Sequence, residues 1–327
     1  MTTGGRIVDR RRTSYKIDNL VISPNVFGFV YYVDGTNGND ANTGRDPLDA
    51  FSTLGKARSS SLAGDTIVIA PGTYTVDVGT ASLAPKADQL WMAAQPSHGG
   101  APNVVITQDA DDSANAAVAI DVDNVVFKDI EFKLVAGGTT ALYTVDAAQT
   151  TAVRGLVFEN CWFNLNSVDA AGVMSLRLND ATNAITGMVV RNCTFVGGDG
   201  TTGQINYIQV GIGGIVNSVI ENNLFALESA DGDCYGIHFL DPGASGKSYG
   251  NTIRSNDFIG ATDGGEDSVG VFFASAMTEK EILSLIHSNF FAYCIATPVT
   301  VDSMNKGVVN NYVGDNATGG TLVDPGS

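Results

Sequence analysis

The stretch VVRNCTFVGG (189–198) is answered thirty residues later by VIENNLFALE (219–228). Both read apolar, any residue, Asn, small or polar, any residue, Phe, at an interval too long for a hairpin. The pattern recurs as FKDIEF (127–132), FENCWF (158–163), VRNCTF (190–195), IENNLF (220–225), IRSNDF (253–258) and IHSNFF (286–291), with a weaker copy, VVNNYV (308–313). The closing residues Phe132, Phe163, Phe195, Phe225, Phe258 and Phe291 are 31, 32, 30, 33 and 33 residues apart. A fixed period of this size marks a repeat architecture, in which no unit buries its apolar face alone.

Between copies lies a second alternating stretch: GVMSLRL (172–178), INYIQVGI (205–212), YGIHFL (235–240) and SVGVFF (268–273). Alternation of apolar and polar residues is the period of a half-buried strand. Like strands recurring once per turn stack into a coil with a ladder of like residues inside, a parallel β-helix. Helical repeats are excluded by the lack of a 3.6-residue stripe, and a propeller by a period shorter than the roughly 40–50 residues of a blade.

In the six-residue motif the first and last positions should point inward. Asn160, Asn192, Asn222, Asn223, Asn256 and Asn289 sit where the chain must bend, and Asn tolerates the left-handed conformation, so all six are expected to turn corners. The second position reads Lys128, Glu159, Arg191, Glu221, Arg254, His287 down the stack. Opposite charges on adjacent strands contribute about 0.2–1 kcal/mol each, so this alternation, including an Arg191–Glu221 pair, favours the in-register stack over a slip. The fifth position, also outward, reads Glu131, Trp162, Thr194, Leu224, Asp257, Phe290, a face open to a subunit contact.

The 327 residues are 44% hydrophobic, enough for a real core, and no run of 18 apolar residues occurs that would span a membrane. The start, MTTGGRIVDRRRTSYK, has charges but no apolar stretch after them, so a secretory signal is not expected. Cys161, Cys193, Cys234 and Cys294 lie in apolar segments with neither a CxxC pair nor metal-ligand spacing, and read as buried free thiols. Residues 1–28 carry Arg6, Arg10, Arg11, Arg12 and Lys16 against Asp9 and Asp18, a net of +3, and the whole chain carries −17. The remaining body is therefore at −20 and should repel nucleic acid, leaving the basic arm as the part suited to an acidic partner.

The front of the body makes a more specific statement. YYVDGTNGNDANTG, then DAFSTLGKA, then AGDTIVIAPGTYT (within 30–75) resembles the opening of right-handed parallel β-helix proteins of the pectin-lyase-like superfamily. The resemblance implies an all-β, single-stranded right-handed parallel β-helix with a short N-terminal capping helix at about 51–62, and a first coil containing DTIVIAPGTY with Gly72 at its turn. The implied organisation is an attachment arm (1–28), the β-helix (29–318) and a C-terminal tail (319–327). Proteins of this shape include polysaccharide lyases, glycoside hydrolases and the tailspikes and other surface proteins of bacteriophages. It implies a fold more firmly than an activity.

Candidate chemistry lies in the loops. Asp199, Glu228, Asp231, Asp233, Asp263, Glu266 and Asp267 follow the Phe of their rungs and should emerge along one edge, where they could contact a glycan or Ca²⁺; a solvated edge is the plainer reading. Glycosidases need two carboxylates at a defined separation. The paired-Asp, Gly-His-Gly and Arg-Lys motifs of polygalacturonases, the acidic cluster with a nearby base of pectate lyases and the Asp, Arg and Gln signature of pectin methylesterases are not recognisable. His238 and His287 fall on outward strand positions and read as exposed structural residues; His98 is near neither in the rung pattern. No catalytic residue is assigned, and no cofactor beyond Ca²⁺ at the acidic loops.

The leading expectation is a non-enzymatic component of a tailed-phage virion: a decoration, head fibre or spike, held to capsid or tail proteins through the arm residues and contacting host surface glycans. It would be a homo-oligomer, with a trimer favoured, at the virion surface and extracellular after lysis. It should need neither membrane nor specific nucleic acid. A polysaccharide lyase or glycoside hydrolase acting on host envelope or capsule, and a glycan-binding adhesin, stay open beside it.

Overall fold

The computed structural model describes residues 15–17, 20–22, 28–76, 82–97, 100–108, 116–134, 142–148, 150–165, 173–178, 183–198, 204–227, 233–240, 248–260, 268–273, 282–294, 299–300 and 308–313. Three parallel sheets of thirteen, nine and seven strands run along a coil, and each turn from Leu90–Ala93 to Val299–Thr300 contributes to all three. The turn around the opening motif shows the plan. Val189–Arg191 lies in the thirteen-stranded sheet, Thr194–Val196 in the nine-stranded one, Ile205–Val210 in the seven-stranded one, and Ile215–Val216 returns to the first. The chain is a right-handed parallel β-helix.

The in-register repeat has the expected interior. Phe132, Phe163, Phe195, Phe225, Phe258 and Phe291 are fully buried and form a continuous ladder, with centroids 5.2, 4.7, 4.6, 4.6 and 4.9 Å apart and planes within 22°. Offset aromatic pairs contribute roughly 0.5–1.5 kcal/mol beyond their burial, so a slipped register would lose both terms. The column of first positions, Phe127, Phe158, Val190, Ile220, Ile253 and Ile286, is equally buried. None of the four cysteines is in a disulfide and all are buried, and burial raises the Cys161 and Cys294 pKa values, the latter to about 12.

The six corner asparagines divide into two groups. Asn160, Asn192 and Asn222 adopt left-handed backbone at φ 54°, 52° and 55°, as do Asp129, Ser255, Ser288 and Asn310 on the same corner. Asn223, Asn256 and Asn289, one residue later, do not turn the chain; they are buried inside the bend and hydrogen-bonded from rung to rung. Each donates Nδ2 to a carbonyl one rung back, that of Val190, Ile220 or Ile253, and each Oδ1 accepts a backbone N–H of that same preceding rung. A buried polar side chain is tolerated there because every hydrogen-bonding atom is used.

The other corner of the coil uses Asn124, Gly155, Gly187, Asn217 and Gly250, all at positive φ between 49° and 68°. A Cβ on Gly250 would stand 2.2 Å from Asn217 Oδ1, and one on Gly155 2.5 Å from Asn124 Oδ1. Glycine is required where the neighbouring rung has placed an asparagine side chain.

At the N-terminal end, helix α1 (Leu54–Ser60) packs beside the strand Val30–Val33 and buries Leu54 and Ala57. Thr53 caps it by accepting from Lys56 N at 3.1 Å, and Asp40 fixes the entry by accepting from Ser52 N, Thr53 N and Thr53 Oγ1. The helix is shorter than the expected 51–62 because Phe51 instead bridges to Val33 in the sheet. DTIVIAPGTY forms two strands, Thr66–Ile69 and Gly72–Val76, in different sheets.

Outward charges follow the expected register with one change of partner. Lys128 and Arg191 both pair with Glu159, at 3.2 and 3.1 Å, and Arg254 takes Glu221 at 2.6 Å. Arg191 therefore pairs back along the stack and not forward with Glu221. These half-exposed pairs contribute little individually, about 0–1 kcal/mol, and act mainly on register.

Candidate functional site

The residues of the seven-stranded sheet are assembled by the second alternating stretch of each repeat. Its strands Leu142–Ala147, Val173–Leu178, Ile205–Val210, Cys234–Phe239 and Ser268–Phe273 stack in register. Val173, Leu176 and Leu178 face the core, as do Ile205, Tyr207, Ile208 and Val210. Two consecutive residues at the strand centre thus turn inward. This leaves two outward columns in place of a simple alternation.

The first column reads Asp146, Arg177, Gln209, His238, Phe272; the second reads Tyr143, Met174, Asn206, Tyr235, Val269. Arg177 grips Asp146 through two hydrogen bonds, Nε to Oδ1 at 3.2 Å and Nη2 to Oδ2 at 2.7 Å. Its guanidinium also lies over the Tyr143 ring, 3.9 Å from the centroid. A bidentate guanidinium–carboxylate pair on an aromatic face fixes both side chains. Asp146 is only 3% exposed, while Arg177, Gln209 and Phe272 are half-buried and form the accessible crest.

His238 is outward in register, as expected, but buried and not exposed. It sits among the Tyr235 ring at 4.6 Å and the Phe272 ring at 5.0 Å, and its Nδ1 donates to Asn206 Oδ1 at 2.7 Å. Burial lowers its pKa to about 4, against the opposing field of Asp233. It is therefore neutral at pH 7, with Nε2 as the acceptor nitrogen. Asp233 accepts from Tyr235 Oη at 3.0 Å, which anchors one end of the aromatic cluster.

Of the acidic loop residues expected to form a carboxylate edge, Asp233 falls within the described residues and supports this cluster. Asp199, Glu228, Asp231, Asp263, Glu266 and Asp267 lie outside them, as do Arg6, Arg10, Arg11, Arg12 and His98. Lys16 lies on the short antiparallel ribbon Tyr15–Ile17 with Leu20–Ile22. His287 is half-buried on the thirteen-stranded sheet, away from His238, with Nδ1 against Ser288 Oγ. Among the described residues no group of three or more His, Cys, Asp or Glu side chains is placed to hold a metal ion.

Asp146, Arg177, Asn206, Gln209, Tyr235 and Phe272 were not expected as a site. The signal was present in GVMSLRL, INYIQVGI, YGIHFL and SVGVFF, where the residue before the last inward one differs on every rung. Chemically, the columns offer a neutral imidazole, two amides, a neutralised carboxylate and aromatic rings. Asp146 and His238 are three rungs apart, about 14 Å at ~4.8 Å per strand, too far to act together on one bond.

With the coil and its outward columns in view, solved structures locate the architecture. A pectin methylesterase from Aspergillus niger superposes with a TM-score of 0.51 at 14% identity, covering 90% of this chain and 87% of that one. The shared feature is the fold. A rhamnogalacturonan lyase and a pectate lyase each give a TM-score of 0.44 at 14% identity over 90% of this chain, covering 88% and 81% of theirs. No family model matches the chain, and no curated protein does.

Proposed function

We propose that the chain is a glycan-contacting surface protein, a β-helical decoration, fibre or spike of a tailed-phage particle held by its basic N-terminal arm. The observation that carries the glycan reading is the pair of outward columns on the seven-stranded sheet. The partly accessible groups there are the planar amide of Gln209, the Arg177 guanidinium of the Arg177–Asp146 pair and the ring of Phe272, set over the buried Tyr143, Asn206 and Tyr235. Sites for sugars and other polar small molecules combine apolar and aromatic walls with a few fixed polar groups in this way. The A. niger neighbour of this fold is named for an activity on pectin, which agrees with a polysaccharide partner. The phage setting rests on the arm, at +3 against a strongly acidic body.

Self-association is part of the same proposal. On the nine-stranded sheet the fifth-position column is exposed at Leu224, Asp257, Phe290 and Tyr312, with Ala226 and Ile259 alongside, an apolar strip suited to a second copy in a trimer. Light scattering on the purified chain should give a trimer mass, and Phe290→Glu with Tyr312→Glu a monomer; a monomeric parent would remove this part.

Removing residues 1–28 should leave a folded body that no longer joins particles, and normal incorporation would refute the tether. A second reading, a polysaccharide lyase or glycoside hydrolase, draws on the pectin-active neighbour of the same fold, since Asp146 and His238 stand too far apart to supply a catalytic pair. The purified protein should release neither reducing ends nor unsaturated products from host polysaccharide, and clear release would favour the enzyme.

A further inference from the structure

The charge on the seven-stranded face decides which glycans it can hold. Arg177 is the cation of its column, and both its Nε and Nη2 are engaged by Asp146. A ligand carboxylate that displaced Asp146 from Arg177 would leave that buried group uncompensated, a strongly unfavourable exchange, and one approaching the outer N–H groups would meet a guanidinium already neutralised by Asp146. His238 adds no charge, because burial against the Tyr235 and Phe272 rings disfavours its charged form. Asp233 at the strand entrance adds a negative charge beside the Tyr235 ring. Among the described residues the face thus has no net positive charge, within a chain that carries −17.

We propose that the ligand of this face is an uncharged polysaccharide, with one pyranose ring seated on Phe272 and hydroxyls of other sugars along the same chain bonded to Gln209 and Arg177, and that polyuronates are rejected. The proposal rests on the glycan-contacting reading above and narrows it. A polyuronate brings a carboxylate on each sugar and meets repulsion from the body without an available cation to offset it. A neutral polysaccharide instead offers C–H groups of one sugar to the half-buried Phe272 ring and pairs of hydroxyls of another to the planar amide of Gln209. The in-register stack places Gln209 two strands from Phe272, about 10 Å at ~4.8 Å per strand, so the two groups can meet neighbouring sugars of one chain.

The test is native affinity electrophoresis of the full chain through gels containing a neutral glucan, a neutral mannan or polygalacturonate, at 0.15 M salt so that long-range repulsion is screened. Retardation is expected with a neutral polymer and not with polygalacturonate. Phe272→Ala should weaken the neutral interaction by about tenfold, the effect of removing one central contact. Gln209→Lys places a cation on the crest and should weaken neutral binding while conferring binding to polygalacturonate. Circular dichroism checks that both variants fold, and the gain of function in Gln209→Lys cannot come from misfolding. Binding of the parent to polygalacturonate as tightly as to the neutral polymers would overturn the inference and leave the glycan-contacting reading standing. Binding to none of the three would overturn both, and neutral binding untouched by either variant would overturn the placement on this face.

Discussion

Replacing Asn256 by leucine removes one link of the interior asparagine ladder at nearly constant volume. The Asn256 side chain is fully buried and makes four hydrogen bonds. Its Oδ1 accepts from Asn223 N at 3.0 Å and Asn223 Nδ2 at 2.9 Å, and its Nδ2 donates to Ile220 O at 3.0 Å and Asn289 Oδ1 at 2.9 Å. After the change Asn223 Nδ2 keeps Val190 O, and Asn289 Oδ1 keeps Asn256 N, but the backbone N–H of Asn223 loses its acceptor. A stranded buried donor costs about 1–3 kcal/mol and each other lost bond about 0.5–1.5, so the expected loss is ~4 kcal/mol. The neighbouring corner supplies the control. Asn222 is exposed at φ 55°, and Asn222→Ala should cost only ~1 kcal/mol, the penalty of a left-handed alanine. Because solenoids unfold with limited cooperativity, the assay is hydrogen exchange read by rung alongside denaturant unfolding. Amides of 220–225 and 253–258 should exchange about a thousandfold faster in Asn256→Leu, the equivalent of ~4 kcal/mol. A loss below ~1 kcal/mol, or one equal to that of Asn222→Ala, would refute the division of the corner into a turning residue and an interior one.

Three further outcomes follow from the same geometry. His238, held at a pKa of about 4 against an ordinary 6.5, favours the folded state fully above about pH 6.5, and that contribution falls as pH drops towards 4, by up to ~3 kcal/mol; NMR titration of its ring should show a midpoint near 4, and a midpoint near 6.5 would contradict its burial. Gly187→Ala meets nothing within 4 Å and should cost about 1–2 kcal/mol for its φ of 68° alone, whereas Gly250→Ala, at the same φ but 2.2 Å from Asn217 Oδ1, should cost visibly more in thermal unfolding. Arg177→Met leaves Asp146 buried without its partner and should destabilise by about 3–5 kcal/mol, while the double change with Asp146→Leu should recover most of that loss; equal losses would show that the pair is not coupled.

The interior was legible because the repeat writes it once per turn. Phe195 and Phe225 face inward for the same reason, and reading one reads the other. Asn222 and Asn223 show where that legibility ends. Both are corner asparagines by sequence, yet one satisfies a backbone angle and the other a row of backbone groups, a distinction set by which side of the bend each Cα lies on. The candidate site was harder to see because a binding column need not repeat. Asp146, Arg177, Gln209, His238 and Phe272 share a position but not a chemistry, and the inward pair Ser175–Leu176 breaks the alternation that would have aligned them. His238 was assigned the right direction and the wrong exposure, since strand period reports where a side chain points and not what stands over it.

The corner chemistry explains why such a column is free to vary. At the interior position after the bend the chain uses Ile130, Cys161 and Cys193 on the earlier rungs and Asn223, Asn256, Asn289 and Asn311 on the later ones. The bend is nevertheless the same throughout, with φ between 52° and 58° from Asp129 to Asn310, because the preceding residue sets it. Cys193 fits the changeover. Its N–H donates to Asn223 Oδ1 at 2.8 Å, and its Sγ turns back to the carbonyls of Phe158 and Arg191. Backbone path is thus fixed by one small set of residues and interior satisfaction by another, neither of which reaches the outer face of the seven-stranded sheet. Substitutions at Gln209 or Phe272 change the outer face without disturbing the register that holds it, which is why Gln209→Lys can test the proposed glycan preference in a coil whose interior is unchanged.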